Sequence, residues 1–153
     1  MTLGEAIFTY LGSATSITDT GNTTEATTRA AARTAAFALT STRVYPMFIP
    51  QGAVLPAIEY ERDSANTIGS NVGRSGIIDT TYEIKCVSTT HTGAKTLVDY
   101  VRSAINFFKG LISTVSVRGI FVEDDDDDIE IAVGADQQRR YIGRVRARFV
   151  YAE

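Results

Sequence analysis

One segment restricts this chain more than any other. Arg43-Val44-Tyr45-Pro46-Met47-Phe48-Ile49-Pro50-Gln51-Gly52-Ala53-Val54-Leu55-Pro56-Ala57-Ile58-Glu59-Tyr60 holds all three prolines of the sequence. Each proline fixes φ, removes a backbone donor and biases the preceding residue toward extended geometry. The spacing predicts a rigid extended connector. Val44, Tyr45, Phe48, Ile49, Val54 and Leu55 are its expected anchors, and it feeds a strand from Ala57 to Arg62.

Before it, Leu3, Ala6, Ile7, Tyr10 and Leu11 follow helical spacing, with Gly12 as a stop. Ser13 to Thr24 reads as a loop. Thr24 is the expected cap of an Ala-rich helix over Glu25–Leu39, so weakly amphipathic that packing on a neighbouring subunit or fraying is expected. Beyond the connector, Asp63 to Gly76 is dense in Ser, Asn and Gly and predicts a flexible loop. Ile77–Thr90 alternates, with Tyr82, Ile84 and Cys86 on one face and Thr81, Glu83 and Lys85 on the other. Thr92 then caps a helix whose stripe is Leu97, Val98, Val101, Ile105 and Phe108, stopped by Gly110. Leu111–Val122 reads as a strand with a bulge at Gly119, followed by strands over Asp128–Val133 and Arg140–Tyr151. This order predicts one α+β domain over 1–153, a mostly antiparallel sheet with helices on one face, its last three strands forming a meander.

Two charge features stand out. Seven of the 18 acids lie between Glu123 and Glu130. The run Glu123, Asp124, Asp125, Asp126, Asp127 and Asp128 repels itself and must be solvated, as a hairpin tip. It lacks the alternating ligands and central glycine of a calcium loop, so no metal is expected. Conversely, Arg139, Arg140, Arg144, Arg146 and Arg148 supply five of the 15 basic residues. Without interleaved aromatics they suit carboxylates on a neighbouring subunit better than nucleic acid, and a net charge of -3 agrees. Lone His91 and lone Cys86 carry no third group to orient a nucleophile, and phosphate-loop and zinc spacings are absent, so neither catalysis nor a cofactor is expected. The start Met1-Thr2-Leu3-Gly4-Glu5 has an acid where a secretory leader is basic, and no apolar run reaches membrane-spanning length. A single cysteine suits a reducing cytoplasm.

The form R-[VI]-Y-P-x-x-x-P-Q-G-[AT]-x-L-P, met here from Arg43 to Pro56, resembles the tail terminator or tail completion proteins of long-tailed bacteriophages. The element order and the closing alternation Arg146-Ala147-Arg148-Phe149-Val150-Tyr151 are similar too. The resemblance runs from about Arg43 to the C-terminus. Region 13–42 departs from it as an insert or variable helical region. It implies a tail-terminator-like fold and a homo-hexameric ring that caps the tail tube protein, stops its polymerisation and offers a joining surface to the head connector or head completion protein. The location implied is the tail-neck region of the virion, after assembly in the host cytoplasm. DNA would pass through the lumen without sequence-specific binding, with no membrane partner, and an inward-facing acidic run would repel it. The interface candidates are Arg43, Tyr45, Pro46, Pro50, Gln51, Pro56, Arg140, Arg144, Arg146 and Arg148. The alternatives are another neck, head-completion or minor tail protein and, more distantly, a small cytosolic enzyme using Cys86 or His91.

Overall fold

A computed structural model describes residues 1–12, 17–70, 73–123, 129–133 and 138–152. Its elements run α1 (Leu3–Gly12), β1 (Ile17–Asp19), α2 (Thr23–Thr40), β2 (Val44–Pro46), β3 (Ala57–Ser70), β4 (Gly73–Ser88), α3 (His91–Ile105), β5 (Gly110–Ile112), β6 (Val115–Val122), β7 (Ile129–Val133) and β8 (Arg139–Ala152). The strands form one sheet in the order β1-β5-β6-β8-β4-β3-β2, with β7 also on β8. Every pairing is antiparallel except β2 with β3. The fold is the expected α+β arrangement.

The centre is the β4–β8 pair, where Ile84 faces Val145 and Cys86 faces Gly143 in register. The inner face carries Tyr82, Ile84, Cys86, Val145, Ala147 and Phe149, all buried. α1 and α3 cover it. α3 contributes Leu97, Val98, Val101, Ala104 and Ile105, as its stripe predicts. Each large apolar side chain buried here contributes about 1.5–3 kcal/mol. Gly143 lets the helix approach: a Cβ there would lie 2.3 Å from Val98 Cγ2.

Several expectations are corrected. Asp63–Gly76 is not a loop in its described part, because β3 and β4 pair through it from Ser64↔Thr81 to Ile68↔Ile77. Its polar residues show no alternation because this arm is exposed over Glu61–Gly69. Within the predicted first loop, β1 pairs with β5. α2 is capped by Asn22, whose side chain accepts from Thr24 N, and α3 by Thr90, which accepts from Gly93 N. α2 does not fray: it packs on α3 and α1, with Ala36 buried. Leu111–Val122 is broken by a turn at Ser113, φ 53°, into β5 and β6. The bulge at Gly119 is present. Gly110 does not stop α3, which ends at Ile105 with Asn106 as cap. Gly110 is required because a Cβ there would lie 1.9 Å from the Thr18 carbonyl oxygen of β1.

The last strands are not a simple meander. β6 pairs with β8 from Ser116↔Ala152 to Val122↔Ala147, and β7 with β8 from Ile129↔Gly143 to Val133↔Arg139. The two lie end to end on one edge of β8. The acidic run expected as a hairpin tip falls between these two strands in sequence, and its Asp124–Asp128 lie outside the described residues.

Arg29 on α2 is buried, at 4 % exposure. It binds Asp19 of β1 through Nε to Oδ2 at 2.7 Å and Nη2 to Oδ1 at 3.0 Å. Burial works against the Asp19 carboxylate, but the Arg29 bond, the Gly21 amide and the charges of Arg29 and Arg33 outweigh it and lower its pKa. The pair locks α2 to the sheet edge.

Candidate assembly interfaces

The proline segment folds back instead of running straight. β2 ends at Pro46, Met47 takes φ 69°, and Ala53 N donates to Pro50 O at 3.1 Å across a turn. Ile49 N donates to Glu59 Oε2 at 3.1 Å. Ile49 is buried with Ala57 and Val87 on the outer face of the sheet, and Tyr45, Ala53, Leu55 and Ile142 pack around them. This is a second, smaller core. Arg43 is turned inward: Nε donates to Pro56 O at 3.0 Å and Nη2 to Leu39 O at 2.7 Å. Tyr45 and Pro56 are half-buried, whereas Pro46, Pro50 and Gln51 are exposed.

Phe48 and Val54 are not the anchors that sequence predicts. They stand 70 % and 66 % exposed, and Met47 is 67 % exposed beside them in the chain. The segment thus buries one set of apolar residues and presents another. Sequence offers no period here to tell the two sets apart.

The arginines of β8 share the outer face, as their alternation predicts, but each of the three central ones has acids from its own chain. Arg144 pairs with Glu83 Oε1 at 2.9 Å and also with Glu130. Arg146 pairs with Asp63, and Arg148 Nε with Asp79 Oδ2 at 2.8 Å. Lys85 adds Glu59 at 3.1 Å. Arg140 is half-buried, opposite Ala132 of β7. Exposed pairs of this kind contribute about 0–1 kcal/mol each, so their main effect is to balance charge. The face is a neutralised ladder, not a basic strip awaiting phosphate. Glu123 is exposed, with its N–H bonded to Arg146 O at 2.9 Å.

Residues 25–151, most of this fold, match the family described as Tail completion protein gp17. The chain belongs to that family. It is therefore a structural tail-completion protein of the bacteriophage virion. Among solved structures, a chain from the virion of a native gene transfer agent (GTA) particle is similar in fold. The two are 16 % identical with a TM-score of 0.50, over 76 % of this chain and 84 % of that one. Among curated proteins, none matches significantly.

In this tail completion protein Cys86 is fully buried on the inner face, and burial pushes its thiol pKa up. A reactive thiol needs the opposite shift and access. His91 opens α3, exposed, with its ring edge-on to Tyr141 at 6.2 Å. Among the described residues no three of His, Cys, Asp and Glu are grouped to hold a metal ion, and no helix is long and apolar enough to cross a membrane.

Proposed function

We propose that this tail completion protein is the tail terminator. Copies form a closed ring, hexameric by the resemblance, which caps the last layer of tube subunits, stops their polymerisation and presents the opposite surface to the head connector. The action is binding, not catalysis. The observation that carries the reading is the apolar knob Met47, Phe48 and Val54 on a segment held by its own small core and by Arg43. Exposed apolar side chains concentrated in one segment mark a partner surface, and a segment already held in place loses little entropy on docking. The neutralised outer ladder supports DNA transit without phosphate capture. Gold-labelled protein incubated with isolated tail tubes should mark one end of each tube, and Phe48→Asp should abolish the label. Labelling along the tube wall would refute the reading.

A further inference from the structure

A strand edge presents a row of unpaired N–H and C=O groups, and proteins usually blunt it with charge, proline or a covering segment. Much of this sheet is closed off within the chain. On β2, Val44 N donates to Thr42 O at 2.8 Å, Pro46 has no N–H, and Phe48 N donates to Pro46 O at 2.8 Å. Beyond β5, Phe107 N reaches Ile120 O at 2.8 Å and Ile120 N reaches Phe108 O at 3.1 Å, which covers β6. Among the described residues, two edges of five residues or more stay open. One is β7, which pairs with β8 alone. The other is β3 beyond Tyr60, where its pairing with β2 ends. Neither carries the usual guards. Ser64, Ala65, Asn66 and Thr67 are exposed and uncharged. On β7, Ile131 and Val133 stand 57 % and 68 % exposed, and its single charge, Glu130, pairs with Arg144.

The two edges match in direction and in bonding phase. Each step across β7-β8-β4-β3 is antiparallel, so β7 runs opposite to β3. Backbone groups point to alternate sides along a strand. Arg146 O accepts from Glu123 N, so the even residues of β8 bond toward β6 and β7 and the odd ones toward β4. Glu130 and Ala132, opposite Ile142 and Arg140, bond to β8, and Ile131 and Val133 turn N–H and C=O to the open edge. Ala147 bonds to Tyr82, Thr81 turns to Ser64, and Ala65 and Thr67 are left bonding outward. All four outward residues lie on the inner face. Ile131 and Val133 alternate with Ile129, which lies opposite Gly143 beneath α3, and Ala65 and Thr67 oppose Thr80 and Ile78, which line a cavity beside α1.

We propose that the β7 edge of one copy pairs with the β3 edge of the next, Ile131 opposite Thr67 and Val133 opposite Ala65, joining the sheets of the ring into one closed antiparallel band. The inference rests on the ring reading above. Closure selects the occupant. The edges lie on opposite sides of one sheet, so the contact is head to tail, the kind that closes rings. A second copy satisfies both edges at once, and full closure removes edges altogether. β7 is level with Arg139–Gly143 and the β3 edge with Phe149–Tyr151, so the strands tilt to the ring axis, as closed barrels require.

The test places Ile131→Cys and Thr67→Cys in one chain and purifies particles from cells making it. Opposed residues of an antiparallel pair have Cβ atoms about 5 Å apart, within reach of a short bis-maleimide. Cys86 is fully buried and stays silent. The reagent should give a ladder of covalent multimers up to the ring on a denaturing gel, and each single-cysteine variant should stay monomeric. Protein bound to isolated tubes serves for the same reaction if the variant yields no particles. Ile131→Lys, at an exposed position, should unfold at the wild-type temperature yet lower particle yield at least tenfold, because a charge guards the edge. Monomer alone from particles that retain the double variant, a dimer from Ile131→Cys alone, or full particle yield with Ile131→Lys would overturn the proposal. End-labelling of tubes reads the ring hypothesis separately: a protein that caps tubes without cross-linking refutes the edge pairing alone.

Discussion

Arg43 joins the two ends of the proline segment, donating from Nε to the Pro56 carbonyl at 3.0 Å while its Nη2 holds Leu39 O at the end of α2. The first and last residues of the sequence motif thus touch. The motif encodes a closed loop pinned to a helix end, and the apolar knob is displayed on that loop. Arg43→Ala should cost about 1–3 kcal/mol, since two charge-assisted hydrogen bonds are lost and the part-buried Pro56 carbonyl loses its donor. Lysine cannot span both carbonyls with one planar fork, so Arg43→Lys should recover little. Urea denaturation measures the cost, and faster proteolysis between Met47 and Leu55 should accompany it.

The Asp19–Arg29 pair predicts an acid-sensitive step. Its carboxyl pKa is lowered in the folded chain, whereas an unfolded aspartate titrates at about 4. Unfolding therefore takes up a proton at acid pH. The pair's contribution is complete above the unfolded value and is lost as pH falls through the folded one. Asp19→Asn should flatten the stability profile in that acid range. Arg29→Ala, which strands the carboxylate, should cost about 3 kcal/mol at neutral pH by urea denaturation.

Gly143→Ala should destabilise by about 1–3 kcal/mol, because the added methyl meets Val98 on α3 and cores resist overpacking. Val98→Ala in the same chain should return part of the loss. A double-mutant cycle in urea checks it, and an additive result would separate the two sites.

How much of this was readable beforehand depends on burial. β4, β8 and α3 each bury one face, so their periods appear in Tyr82-Ile84-Cys86, in Val145-Ala147-Phe149 and in Leu97-Val98-Val101. The β3–β4 arm buries little beyond Tyr60, and an exposed strand leaves no period. β1 is three residues long and shows no pattern of its own. Gly110 suggested a helix stop because its neighbour Thr18 is distant in sequence. The arginine face was legible, but its neutralisation was not. Asp63, Asp79 and Glu83 reach those arginines through pairings of β3, β4 and β8 that no local window contains.

Cys86 should resist thiol reagents until the chain unfolds, its modification rate following the unfolding equilibrium in urea. Cys86→Ser should cost about 1–3 kcal/mol through a buried hydroxyl without a partner. It should leave tail completion intact at permissive temperature, measured as particle yield. Fast labelling of the folded protein would contradict the buried position.

The central claim is tested most directly by electron microscopy of particles from cells lacking this protein. Termination predicts overlong, headless tubes beside filled heads. Tails of normal length, detached from heads, would contradict length control and leave only a joining role.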